Sequence, residues 1–337
     1  MKVIDRIYKE LKKEFKDIKK ESITLEDNLI KSCELKFQNS GRLKAFPLSL
    51  GYTGENRLSG ELIHIENLKG DILLSVKRLN NKILYIKEIE KHIYLKYLFK
   101  IKPKAVITNV DFGRKIYSTD FPILNVYSFL DNIKEIEINL DIQSKKYKSK
   151  NIFIDFGLGG NFIIILLPFD SRFQNYDSLD FYGSFKLFKY LLKRFKNFQS
   201  DIYRLRFLIT DFKYTNYISL KEHIKNLEEV IAIYNIENSG LGNEKLIIKT
   251  DRYILDKILY KRIINIFNKK KKFISPAMSD ELVNLPENYP IIWFNSQPNI
   301  NLYKLDKNFV VDKFILDMSE NIFDIIKNLY NEISLND

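Results

Sequence analysis

Residues 151–171 read NIFIDFGLGGNFIIILLPFDS, and residues 230–240 read VIAIYNIENSG. Positions 162–167 are apolar without a break. A strand with one wet face alternates polar and apolar residues, so an unbroken run fits a strand buried on both faces, as in a parallel sheet sandwiched between helices. Before it, Gly157, Gly159 and Gly160 follow a strand and run into another strand. That spacing suits neither a dinucleotide nor a phosphate loop, and it predicts a hairpin turn.

Outward from this segment the pattern alternates. Helical spacing of Phe185, Phe188, Leu191, Leu192 and Phe195 is followed by a strand at 206–210, a helix at 219–227 and strands at 230–235 and 246–250. A helix at 253–267, a strand at 290–295 and a last helix carrying Phe314, Ile322, Ile325, Ile326, Leu329 and Ile333 on one side complete the chain. Strands separated by helices predict an α/β fold with a mostly parallel central sheet and helices on both faces. At the other end, Ile4, Ile7, Tyr8, Leu11, Phe15 and Ile18 form a helical stripe. Acids interleave with the lysines opposite it, which fits a helix packed on its own domain better than one lying on a membrane. Between these parts, short strands at 61–65, 71–76, 83–86, 105–108 and 123–126, with one helix near 89–99, predict a smaller β-rich unit.

The chain has 337 residues, 45% of them hydrophobic, enough for two domains with substantial cores. No run reaches the length of a membrane span and the first residues are charged, so a cytoplasmic protein is expected. The single Cys33 excludes an internal disulfide framework and a cysteine-based zinc site. The net charge is +12, from 55 basic and 43 acidic residues. Lysine outnumbers arginine 44 to 11, which disfavours bidentate reading of bases and leaves unspecific polyanion binding open.

Segment by segment, residues 151–294 resemble the family of co-catalytic zinc aminopeptidases that also contains glutamate carboxypeptidase and the transferrin receptor ectodomain. The phrases that carry the resemblance are NIFIDFG, LLPFDS and VIAIYNIENSG, with SDELVNLPENYPIIWFN farther on. SGELIHIENLKGDILLSVKR, KAVITNV and STDFPILNVYS resemble the protease-associated domain that relatives carry as an insertion. The resemblance implies an aminopeptidase-like α/β domain of residues 1–52 and 133–337, and an inserted protease-associated-like β-rich domain of residues 53–132.

The chemistry does not come with it. A two-zinc hydrolase clamps a hydroxide between metals about 3.5–4 Å apart, and each ion needs imidazole or further carboxylate to fill its shell. The only histidines are His64, His92 and His223. By resemblance, Pro168 stands where the first histidine ligand belongs, Asp180 at the bridging aspartate, and Lys213 and Tyr214 at the Glu-Glu pair. Glu237 takes the place of a ligand aspartate and Glu281 that of a histidine, and the last histidine would fall at 302–304, where there is none. An ammonium at 213 would oppose a nearby dication by about 4 kcal/mol per unit charge pair at about 4 Å and an effective dielectric near 20. His223, beside Glu222, is expected at the surface.

The resemblance thus implies a degenerate family member: a catalytically inactive pseudo-peptidase that holds no cofactor and acts as a binding or scaffold module for protein or peptide, as the transferrin receptor does. A divergent metal-dependent aminopeptidase with a rearranged zinc site, and a basic protein binding nucleic acid or another polyanionic surface, stay open beside it.

Overall fold

The computed structural model describes residues 3–37, 41–65, 78–86, 98, 101–109, 117–128, 130–170, 179–212, 217–237, 291–295 and 312–333. The predicted strands at 71–76 and 246–250 and the helix at 253–267 lie outside them, as does most of the helix at 89–99. So do Lys213, Tyr214, Glu281 and residues 302–304.

Helix α1 (Val3–Glu14) opens the fold, with Ile4, Ile7 and Leu11 buried and Lys12 and Lys13 at its carbonyl end, where cations complement the dipole. The apolar run predicted as a strand is β10 (Asn161–Pro168). It pairs in parallel with β11 (Tyr203–Thr210) on one side and β12 (Glu229–Glu237) on the other, and β12 pairs in parallel with β13 (Ile291–Asn295). Alternate residues of β10 enter different cores, which is why none of them can be polar. Ile163, Ile165 and Leu167 pack under α1, α2 (Leu179–Phe195) and α4 (Asp312–Ile333), whereas Phe162, Ile164 and Leu166 pack under α3 (Ile218–Ile224).

Strand β9 (Glu135–Phe156) joins β11 antiparallel, so β11 lies between β9 and β10. The glycine turn at 157–160 is therefore not the hairpin that its sequence suggests. The incoming end of β11 fills the gap: Leu158 N–H donates to the Ser200 carbonyl, and Arg204 Nη2 donates to the Leu158 carbonyl at 2.8 Å.

The 19-residue β1 (Lys19–Phe37) pairs with β9 from Lys19↔Phe153 to Phe37↔Ile136, forming a ribbon that leaves the α/β sheet and enters a second core. There β9, β4 (Arg57–Ile65), β5 (Ile83–Ile86), β6 (Ala105–Thr108), β8 (Ile123–Asn125), β2 (Arg42–Pro47) and β1 are each hydrogen-bonded to the next, and β1 returns to β9. Such a ring leaves no free edge among these strands. Leu35, Ile83, Tyr85, Ile107, Leu124 and Ile138 fill one side of its strands, and Leu84, Ile86, Val106 and Ile123 meet Leu79, Leu98 and Ile101 on the other. Cys33 lies in the first of these cores, where burial and the Glu34 carboxylate push its thiol up to about 12. No described helix is long and apolar enough to cross a membrane.

Candidate functional site

Ligands of open parallel sheets collect at the carboxyl ends of the strands. Here that edge is formed by Pro168 ending β10, Thr210 ending β11, Glu237 ending β12 and Asn295 ending β13. Their registers, Pro168↔Thr210, Leu166↔Asn235 and Glu237↔Asn295, set them side by side. Just beyond, Asp170 and Asp211 are fully buried. Asp211 accepts from the Ser149 hydroxyl and from the Phe212 N–H, and its carbonyl accepts from Ser219, so it pins the start of α3 to the ribbon.

Glu237 is 3% exposed. Its Oε1 accepts from the Tyr217 hydroxyl at 2.9 Å and from Asn235 Nδ2 at 3.1 Å. Tyr217 precedes α3 in a left-handed conformation (φ 51°), which L residues adopt at a cost, and it is the residue whose hydroxyl reaches the acid. Asn151 Oδ1, Thr210 Oγ1 and Asn235 Oδ1 are buried in the same region and have no hydrogen-bond partner among the described residues.

The parallel four-strand block with helices on both faces belongs to a fold that is found in solved structures. The chain has the fold of the zinc aminopeptidases. The zinc aminopeptidase BSAP of Bacillus subtilis superposes with a TM-score of 0.62 at 12% identity, over 97% of this chain and 87% of that one. The aminopeptidase of Aneurinibacillus sp. strain AM-1 gives 0.61 at 13%, over 96% and 86%. A peptidase M28 precursor of Shewanella amazonensis SB2B gives 0.52 at 13%, over 95% and 85%. No protein-family profile and no curated protein sequence matches the chain.

The described donors do not fit a pair of zinc ions. Pro168 ends its strand with no ligating atom. Asp180 lies in the first turn of α2; its side chain, like all of Lys213 and Tyr214, is outside the described residues. Glu237 is already held by a phenol and an amide. The unpartnered groups nearby are neutral amide and hydroxyl oxygens, which do not replace imidazole for zinc. Among the described residues no three His, Cys, Asp or Glu side chains gather as a metal site.

Nor are the described histidines available. His64 lies on β4 in the ring, where its Nε2–H donates to the Ile133 carbonyl at 2.8 Å. His92 lies outside the described residues. His223 is 4% exposed, contrary to its expected surface position. Arg206 Nη1 lies 3.0 Å from its Nε2, and Glu21 accepts at its Nδ1. A guanidinium can only donate, so Nε2 must be the acceptor and Nδ1 must carry the proton, which assigns a neutral imidazole with no lone pair left over. Arg206 in turn grips Asp155 through Nε and Nη2, both at 2.7 Å, and Glu21 also accepts from Asn151. Helix α3 turns His223 inward because Glu21 on β1 and Arg206 on β11 supply partners that its sequence neighbours do not reveal.

Burial holds His223 below its ordinary 6.5, and the Arg206 charge adds to this against the pull of Glu21. The folded state therefore binds this proton less well than the unfolded chain. Stability is whole above about pH 6.5 and falls as pH drops through that value, until the folded ring itself protonates. Burial pushes the Glu21 carboxyl up, but the hydrogen bonds from His223 and Asn151 outweigh it and leave the group lowered, so its contribution is lost only below pH 4.5. His223→Gln keeps an acceptor for Arg206 and a donor for Glu21 without a titrating ring. Between about pH 7 and 5 the urea midpoint of the native protein should fall relative to that variant; parallel curves would refute the neutral imidazole.

Proposed function

We propose that this chain is a zinc aminopeptidase fold without hydrolytic chemistry, which acts by binding protein or peptide. The observation that carries this reading is the distribution of imidazoles. His64 lies on β4 in the ring, His92 falls within residues 53–132 of the sequence, and His223 spends both ring nitrogens on Arg206 and Glu21. The hydroxyl of Tyr217 and the amide of Asn235 meet Glu237 where a metal-binding fold would leave a carboxylate open. Pro168, Lys213 and Tyr214 agree, as positions where neither ligand nor carboxylate base remains. On the same reading, residues 53–132, whose described strands β4, β5, β6 and β8 lie in the ring, correspond to a protease-associated-like insert.

Elemental analysis of the purified chain, paired with a panel of aminopeptidase substrates, tests the proposal. Substoichiometric zinc and no release of N-terminal residues are expected, before and after incubation with zinc. Two tightly held zinc equivalents, or metal-dependent turnover abolished by Asp180→Ala, would establish the enzyme instead.

A further inference from the structure

Helix α3 spans the sheet from β12 to β1, and different bonds hold its two ends. At its start the Tyr217 hydroxyl donates to Glu237 on β12, and the Ser219 carbonyl accepts from Asn151 on β9. At its far end His223 stands between Glu21 on β1, which accepts at Nδ1, and Arg206 on β11, whose Nη1 lies 3.0 Å from Nε2. Arg206 does not depend on the imidazole for its place, because Nε and Nη2 both bind Asp155 on β9. Glu21, Arg206 and Asp155 are the charges that act on the imidazole, from β1, β11 and β9. The Phe153 ring of β9 packs beside it, and on α3 itself Glu222 and Lys225 pair with each other in solvent.

A neutral imidazole satisfies both neighbours, since Nδ1–H donates while Nε2 accepts. One proton taken from solvent ends this. The imidazolium carries a hydrogen on each nitrogen, so Glu21 holds it more strongly while Arg206 meets a donor of its own sign. The two contacts of this side chain thus respond in opposite senses, and only the one to β11 has to break. Asp155 retains the guanidinium, so the imidazole and its helix are the parts that move, toward β1. Tyr217 stands at the start of the same seven-residue helix, and β12 lies on the far side of the sheet from β1. Movement toward β1 therefore draws the hydroxyl away from Glu237.

We propose that α3 is a proton-operated latch on the strand-end acid: protonation of His223 parts the helix from β11, Glu21 draws it toward β1, and Glu237 loses the Tyr217 hydroxyl. The window follows from the groups themselves. Burial keeps the imidazole neutral above about pH 6.5. Glu21, whose burial is outweighed by the hydrogen bonds from His223 and Asn151, lies below 4.5 and stays charged through about pH 5. Between these limits His223 is the member of the line that changes charge. The latch stands on these contacts and not on the binding role proposed above, so it can be read without a ligand.

Amide hydrogen exchange of the full chain, resolved by residue with NMR and divided by the unstructured rate at each pH, tests the latch. The Lys221 and Lys225 amides, bonded to the Tyr217 and Lys221 carbonyls, should lose at least about tenfold in protection between about pH 7.5 and about pH 5, while Ile164 in β10 keeps its own. The change should follow the titration of the His223 ring, read in the same samples. His223→Gln, which keeps a donor for Glu21 and an acceptor for Arg206, should abolish it. Tyr217→Phe should raise Lys221 exchange at about pH 7.5 and shrink its response to acid, because the bond to be lost is already missing. The proposal is overturned if the ring takes up no proton above about pH 5, or takes it up while α3 keeps its protection. It is also overturned if Ile164 loses protection in step, or if His223→Gln responds as the native chain does. An undiminished acid response in Tyr217→Phe would overturn the reach of the latch to Glu237.

Discussion

Arg206→Met should lower the free energy of unfolding by about 3–5 kcal/mol, the usual result of removing one partner from a buried ion pair. The side chain is 8% exposed and its partner Asp155 19%. The guanidinium lies between the rings of Phe153 and Phe162, 4.6 and 4.7 Å from their centroids, and makes two 2.7 Å bonds to the carboxylate. Methionine fills much of the space but leaves Asp155 as an uncompensated charge and His223 Nε2 without a donor. Most of the loss should return in Arg206→Met with Asp155→Leu, because replacing both members of a buried pair by apolar groups is often neutral. Urea unfolding of the two single variants and the double variant near pH 7.5 gives the coupling directly. A single-variant loss below about 1 kcal/mol would mean that water screens the pair after all, as it does exposed pairs. The same substitution removes the positive charge that helps to keep His223 neutral, so the folded ring should protonate at a higher pH and the loss of stability below about pH 6.5 should shrink.

The parts legible in the sequence were those whose residues answer to one environment. Strands at 83–86 and 105–108 are where the apolar runs put them, and β10 and β12 extend the predicted strands by only a residue or two. The ribbon could not be found in this way. Residues 143–146 of β9 are exposed on both faces, so they carry no alternation, and strands of 19 and 22 residues are far longer than the usual five or six. Its existence depends on pairing between segments 99 to 134 residues apart. The strand-end acid Glu237 and the proline at 168 were visible as positions, because both terminate apolar strands. Tyr217 was not, since its link to Glu237 follows from a left-handed residue at the start of a seven-residue helix. The Asp155–Arg206–His223–Glu21 line was hidden for a related reason. Each member looks like an ordinary surface charge until β9 and β11 bring Asp155 opposite Arg206 and α3 lowers His223 onto them.

Gly159→Ala should be the other costly substitution, destabilising by about 3 kcal/mol or more, at the upper end for an added methyl in a packed site. A Cβ at Gly159 would fall inside contact distance of the carbonyl carbon and oxygen of Ile202 and the nitrogen of Tyr203, all backbone atoms. Flexible side chains can swing away from an intruding methyl; this backbone cannot, because Ile202 accepts from Asn161 N–H and Tyr203 begins the strand between β9 and β10. Relief requires moving the turn away from β11, which sacrifices the Leu158–Ser200 and Arg204–Leu158 hydrogen bonds and the start of the parallel ladder. Gly160→Ala, one residue on, is the control. Its Cβ meets the far end of the Glu228 side chain, which can rotate, so the loss should stay below about 1 kcal/mol. Thermal unfolding of the two variants separates the cases: similar midpoints would show that β11 is not threaded through the turn as tightly as the fold requires. A large gap would establish that Gly159 of DFGLGG serves close backbone approach at a strand crossing, and not a phosphate.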